Sequence, residues 1–164
     1  MSIKRRSFEA GHKRKYLVVI DDTEECDRAA YWAAKRAGRT KSQIVMLRVI
    51  ETAERNQQWL GVADIMQAEA MEAANAVLDK FAARIKQIAR VKPDRVIREG
   101  NTAEEIVKLI DEDADIGILV LAAGTGKEGP GPLVSNLAKT AGTFPIPVAI
   151  VPAHLSDEDI EASS

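Results

Sequence analysis

The residues best suited to holding a small molecule lie between Asp115 and Asn136, in the stretch DIGILVLAAGTGKEGPGPLVSN. An apolar run, Ile116 to Leu121, empties into a loop that carries Gly124, Gly126, Gly129 and Gly131. Pro130 and Pro132 stiffen the loop, and Ser135 and Asn136 follow it. Glycines placed directly after a strand let the backbone approach a ligand closely and turn N–H groups toward an anion. The phosphate or other anionic end of a ligand is expected here.

Gly124-Thr-Gly126-Lys-Glu-Gly129 spells GxGxxG. The dinucleotide fingerprint, however, belongs to a first strand and opens straight into a helix, with an acid about 20 residues on. Here the strand is the fourth, and Pro130 and Pro132 delay any helix, so that reading is rejected. A Walker loop fails as well, because Glu128 follows Lys127 and no glycine stands five residues before Gly126. What remains is a glycine nest beside a helix N-terminus, suited to an anion.

Asp21 closes an earlier apolar run. Its carboxylate can accept hydrogen bonds from an amine or a ribose hydroxyl, or it can cap the following helix, and both uses stay open. Val49 offers only backbone groups, which suffice to read the edge of a base. Gly100 reads as a simple turn or as room for a ligand. Other residues promise less. Cys26, the one cysteine, is expected to be a small semi-buried helix residue rather than a nucleophile. His12 and His154 stand in or beside the ends of the chain, where no metal cluster assembles around them. Trp32 is expected in the core. No Ser/His/Asp or Cys/His set and no carboxylate pair suited to acid–base work stands out.

These residues must be positioned by regular elements. Strands are expected at Tyr16–Ile20, Ile44–Ile50, Arg95–Arg98, Ile116–Leu121 and Pro147–Val151, from short apolar or β-branched runs bounded by turn residues. Thr23 is placed to cap a first helix, with Glu24 and Glu25 in its first turn and Gly38 at its end. From Glu51 to Gly61, with Trp59, the pattern fails. Ile65, Met66, Ala70, Ala73, Val77, Phe81, Ile85 and Ile88 then trace a long amphipathic helix. Asn101 with Glu104 forms a capping-box pattern for a third helix, whose buried face is expected at Ile106, Val107 and Ile110. A fourth helix is expected over Leu133 to Ala141. Strands alternating with helices imply one α/β domain: a parallel sheet with right-handed crossovers and helices on both faces.

The chain of 164 residues, 46% hydrophobic, is long enough to bury its own core. A net charge of −2 recommends neither nucleic acid nor a membrane surface as a partner. No apolar stretch approaches the roughly 20 residues of a membrane span, and no apolar segment follows the basic N-terminus as in a secretory signal. A cytoplasmic protein is expected. Residues 1–14, basic, and 153–164, with an acidic stretch from Ser156, are expected to be loose tails flanking a domain at 15–152.

From Lys15 to Pro152 the chain resembles the universal stress protein family. The resemblance rests on VVIDDTEECDRA, MLRVIE, REGNTAEEIVKLIDEDADIGILVLAAG and the closing PIPVAIVP. It implies a five-stranded parallel sheet of order 3-2-1-4-5, similar to the adenine nucleotide alpha hydrolase folds, and a homodimer formed through the last strand. Some members bind ATP or AMP. The resemblance gives Asp21 a contact to adenine, Val49 backbone bonds to the base, and Gly100 the place of the glycine after the third strand. The family's phosphate motif, G-x2-G-x9-G-[ST], is incomplete here. Aligned on Ser135, its last glycine becomes Val134, with Gly124 at the second glycine and Leu121 at the first. A one-residue gap instead brings Gly126 to the second and Ala123 to the first. Asp22 stands where a small residue is common after Asp21. Lys127 and the extra glycines offer another route to an anion site.

The expected function is therefore a stress-response protein that binds an adenine nucleotide as a ligand, without efficient turnover. Asp21 and Val49 would hold the base and Gly124, Gly126, Gly129, Ser135 and Asn136 the phosphates. Lys127 would neutralise charge, Asp22 would bring negative charge toward a triphosphate, and Thr23, Gly100 and Ala123 complete the expected binding set. Mg is expected only if a triphosphate is bound. A nucleotide-free member acting as a dimeric protein-interaction module is the alternative, and a hydrolase or transferase is a weaker third reading. In the dimer, Val148, Ile150 and Val151 would form the apolar edge that should not be left exposed.

Overall fold

The computed structural model describes residues 3–51 and 60–164. Most of the expected irregular stretch, Trp59 included, falls outside them. The strands are β1 (Lys15–Val19), β2 (Gln43–Ile50), β3 (Asp94–Glu99), β4 (Ile116–Ala123) and β5 (Val148–Pro152). They alternate with α1 (Cys26–Thr40), α2 (Leu60–Ala89), α3 (Thr102–Glu112) and α4 (Pro132–Thr140), and α5 (Asp157–Ser163) follows the last strand. The sheet has the order β3-β2-β1-β4-β5, and every neighbouring pair is parallel.

Alternate residues of each strand face opposite layers, so a strand between two helical layers must be apolar throughout. Tyr16, Val18, Ile44 and Met46 meet the alanines of α1 and Leu78, Phe81 and Ile85 of α2. Leu17, Val19, Val45 and Leu47 meet Ile106, Leu109 and Ile110 of α3 and Leu137 of α4. Trp32 packs against the first of these layers, edge-on to Tyr16.

Several local expectations are corrected. Gly38 does not end α1. The helix runs on to Thr40 and stops at Lys41, which takes the left-handed conformation (φ 53°). A Cβ on Gly38 would stand 3.7 Å from the Cα of Ala89, so this glycine lets α1 and α2 lie close together. Thr23 does not cap α1 either. The cap position falls to Glu25, whose side chain makes no capping bond. In α2, Ile65 and Met66 are exposed, and burial begins further along, at Ala74. In α3, Leu109 rather than Val107 completes the buried face, while the Asn101 side chain accepts from the N–H of Glu104 at 3.1 Å. On the edge strand β5, Ile150 faces outward but Val151 turns into the core.

Described residues of both flanks make contacts with the domain. The Arg5 guanidinium donates to the carbonyls of Ile110, Asp113 and Ile116 at 2.8–3.1 Å. These groups lie where α3 ends, and terminal helix carbonyls need such donors. His12 pairs with Asp115 at 2.7 Å. At the other end, Ser156 and Asp159 form a capping box for α5, and Ile160 is fully buried against α1. Arg36 and Arg39 of α1 donate to the carbonyls of Ser164 and Glu161. Ile160→Ala is expected to lower unfolding free energy by about 2–5 kcal/mol, measured by urea denaturation. An unchanged midpoint would show that α5 adds nothing to the core.

Candidate functional site

In the order 3-2-1-4-5 the chain leaves β1 toward β2 on one side and later returns to β4 on the other. The sheet therefore reverses its winding between β1 and β4, and ligands of such folds sit outside the carboxyl ends of the strands at that point. Asp21 stands just past β1 and Gly124 just past β4. Between them lies an inner cavity of about 70 Å³ lined by Asp21, Thr23, Glu25, Cys26, Leu133 and Val134, among others. An outer, open depression of about 930 Å³ runs over the glycine loop, from Asp22 and Glu24 to Lys127 and Gly129. Thr23, Glu25, Gly131 and Pro132 border both.

Asp21 does not hold the cap position of α1, which is Glu25. Its Oδ1 accepts from both the N–H and the hydroxyl of Thr23, a local Asx turn that competes with helix capping. Asp22 points outward to Arg48, at 3.0 Å. Arg48 also donates to the carbonyl of Ile20. Cys26 is buried beneath the cavity, its Sγ 3.6 Å from the carbonyl of Val19. Burial pushes its thiol up to about 12.

The glycine loop is tied to itself. The Gly124 N–H donates to Pro130 O and the Gly129 N–H to Gly126 O, both at 3.1 Å. Those amides are thus directed into the loop and not toward an anion. The open donors are those of the first turn of α4. Gly131 takes its cap with φ 106°, a conformation suited to glycine, and Pro132 begins the helix. Ser135 N–H already bonds Gly131 O, but Leu133 and Val134 lie in the first turn, where no intrahelical carbonyl is available. Lys127 stands on the loop nearby.

Charge in the rest of the crevice is mostly acidic. Asp27 bonds both Arg28 and Arg84. Burial alone would raise its pKa, but these two guanidinium groups outweigh it and hold the carboxyl below the usual range. Arg28 is shared between Asp27 at 2.7 Å and Asp157 at 2.8 Å.

Asp21, Asp22, Thr23, Gly124, Gly126, Lys127 and Gly129 are brought together around the crevice, with Ala123 at its edge, its carbonyl bonded by Ala153 N–H. Others are not. Val49 packs against the core layer of α3 and α4, and Gly100 faces the Glu105 carboxylate. Ser135 is exposed, and Asn136 lines a separate apolar groove between α3 and α4. The sequence reading missed Glu25 and Arg48. Glu25 stood there only as a first-turn acid, yet its Oε1 lies 2.9 Å from where a Cβ on Gly124 would be. No spacing rule links residues 25 and 124.

A profile of the universal stress protein family matches residues 13–152. The chain belongs to that family. Comparison with curated protein sequences gave no match. Among solved structures, this stress protein is similar to a universal stress protein from Lactobacillus plantarum, at 20% identity and a TM-score of 0.69, over 85% of this chain and 97% of that one. It is also similar to the Archaeoglobus fulgidus protein solved with dAMP, at 14% identity and a TM-score of 0.60, over 85% and 98%. The third is a family member from Arabidopsis thaliana with AMP bound, at 18% identity and a TM-score of 0.56, over 88% and 94%.

The raised thiol of Cys26 gives this universal stress protein a simple test. At pH 8 the native protein is expected to resist a thiol-specific chromogenic disulfide, while the urea-unfolded chain reacts fully. Rapid stoichiometric reaction of the native form would place Cys26 at the surface.

Proposed function

We propose that the crevice between β1 and β4 binds an adenine nucleotide as a ligand, without efficient turnover. The observation that carries this reading is the convergence of Asp21 and the open first turn of α4 on one cavity. The second oxygen of Asp21 is the acceptor for the base or the ribose. The Leu133 and Val134 amides, with Lys127, receive the phosphate. The relatives solved with dAMP and AMP share the fold and support this ligand class. Asp21 is engaged by Thr23 and Asp22 by Arg48, so neither carboxylate is offered as a general base, which favours binding over hydrolysis.

Gly126 separates ligand from fold. No atom lies within 4 Å of a Cβ built there, so Gly126→Trp leaves folding intact and fills the outer depression. Nucleotide binding by calorimetric titration is expected to be lost with an unchanged thermal midpoint. Binding that survives would remove the loop from the site. Heat extraction of the purified protein, followed by mass spectrometry, is expected to release an adenine nucleotide.

The nucleotide-free dimer is kept as a second reading because of two features. The inner cavity of about 70 Å³ is far below the ~300 Å³ at which small-molecule pockets begin, and Val134 stands at a motif glycine. Its working surface would be the edge of β5, where Ile150 is 45% exposed. An apolar edge strand invites pairing with a second copy. Ile150→Lys is expected to shift the protein to a monomer in light scattering at micromolar concentration. A dimer that persists would put the contact elsewhere.

A further inference from the structure

Glu25 occupies a position that no motif assigns. It holds the cap position of α1 in a helical conformation (φ −69°, ψ −16°), and its side chain makes no capping bond. The side chain instead crosses the crevice to β4. Oε1 lies 2.9 Å and Cδ 3.3 Å from the point where a Cβ of residue 124 would stand. That approach exists because residue 124 is glycine. Glu25 borders both the inner cavity and the loop depression, together with Thr23, Gly131 and Pro132.

The charges around the outer depression are uneven. Arg28 is held between Asp27 and Asp157, and Arg48 answers Asp22. Among the described residues, that leaves Lys127 as the loop's unpaired cation, facing Glu24, Glu25 and Glu128. A phosphomonoester carries about −1.5 to −2 charges near neutral pH. Lys127 and the first turn of α4 can accommodate that much. Further phosphoryl groups must extend over the outer depression, whose lining adds Glu24, Glu25, Asp27 and Glu128 and, besides Lys127, only Arg28, already held by Asp27 and Asp157. Like charges that close repel, and the partly enclosed walls weaken solvent screening.

We propose that Glu25 is a specificity-determining residue, which restricts the crevice to adenosine monophosphates and disfavours the di- and triphosphates. This rests on the nucleotide reading given above and narrows it. The selectivity is built into a side chain whose removal leaves the α4 amides and Lys127 in place.

Calorimetric titrations with AMP and ATP, each with and without magnesium, on the wild type and on Glu25→Gln, test the inference. Glu25 makes no capping bond, so the variant should fold, which the thermal midpoint checks; Glu25→Ala serves as a second variant. The wild type is expected to bind AMP at least about tenfold more tightly than magnesium-free ATP, and Glu25→Gln to recover most of that factor for ATP while changing AMP little. Magnesium should narrow the wild-type difference by masking phosphate charge. Equal affinities in the wild type, or equal gains for both ligands in the variant, overturn the inference and leave the nucleotide reading standing. Binding of neither ligand by any form overturns both.

Discussion

The double burial of β1 is the constraint on which the rest of the structure depends. Tyr16, Leu17 and Val18 are fully enclosed, with α1 and α2 on one face and α3 and α4 on the other. A strand in that position admits a polar group only where it is paired, as the Tyr16 hydroxyl is with Thr40, because an unpaired one would be desolvated without compensation. Chemistry is therefore displaced to the strand ends. The ladder is carried one residue past β1 by the bond from Ile20 N–H to Leu47 O, and Asp21 is the next residue. It is the first charged side chain after the buried run, and it emerges at the point where the sheet reverses its winding.

The crevice that results has two opposing electrostatic characters. The first turn of α4 and Lys127 favour an anion. Glu24, Glu25 and Glu128 oppose one. The glycine loop does not decide the matter, since Gly124 and Gly129 direct their N–H groups into the loop itself. Its glycines serve shape rather than charge: Gly131 allows the cap of α4, and Gly124 admits the Glu25 carboxylate. The positive character of the crevice thus comes from a helix end and a single ammonium group that no carboxylate among the described residues engages.

The sheet was legible in the sequence because its central strands are largely apolar runs and the edge strands are short β-branched runs between turn residues, and all five were placed within two residues of their ends. The strand order came from the family resemblance, since nothing in periodicity distinguishes β4 beside β1 from β4 beside β3. Contacts between distant residues were not legible. Gly38 reads as a helix end until Ala89 is seen against it. Arg5 reads as a solvated tail residue until its guanidinium is seen on the carbonyls at the end of α3. Ile65 and Met66 fit a helical stripe, but the first turns of α2 run past the layer that would bury them. In the crevice, Asp21 and the glycines announced themselves by type, whereas Glu25 has meaning only through its position opposite Gly124.

Arg28 connects the crevice to the C-terminal flank. It borders the outer depression, yet its guanidinium donates to the carbonyl of Leu155 at 3.1 Å and pairs with Asp157 at the start of α5. It also lies over the ring of Tyr31. Burial works against its charge, but the bonds to Asp27 and Asp157 outweigh that and hold its pKa above the ordinary value. A cation so engaged cannot turn to a ligand without releasing the docking of α5, whose Ile160 closes part of the core. The crevice's second cation, Arg28, is therefore not free for a ligand, for a physical reason: it maintains the fold. The Arg28 side chain thus ties one wall of the crevice to the ordered packing of the C-terminal flank.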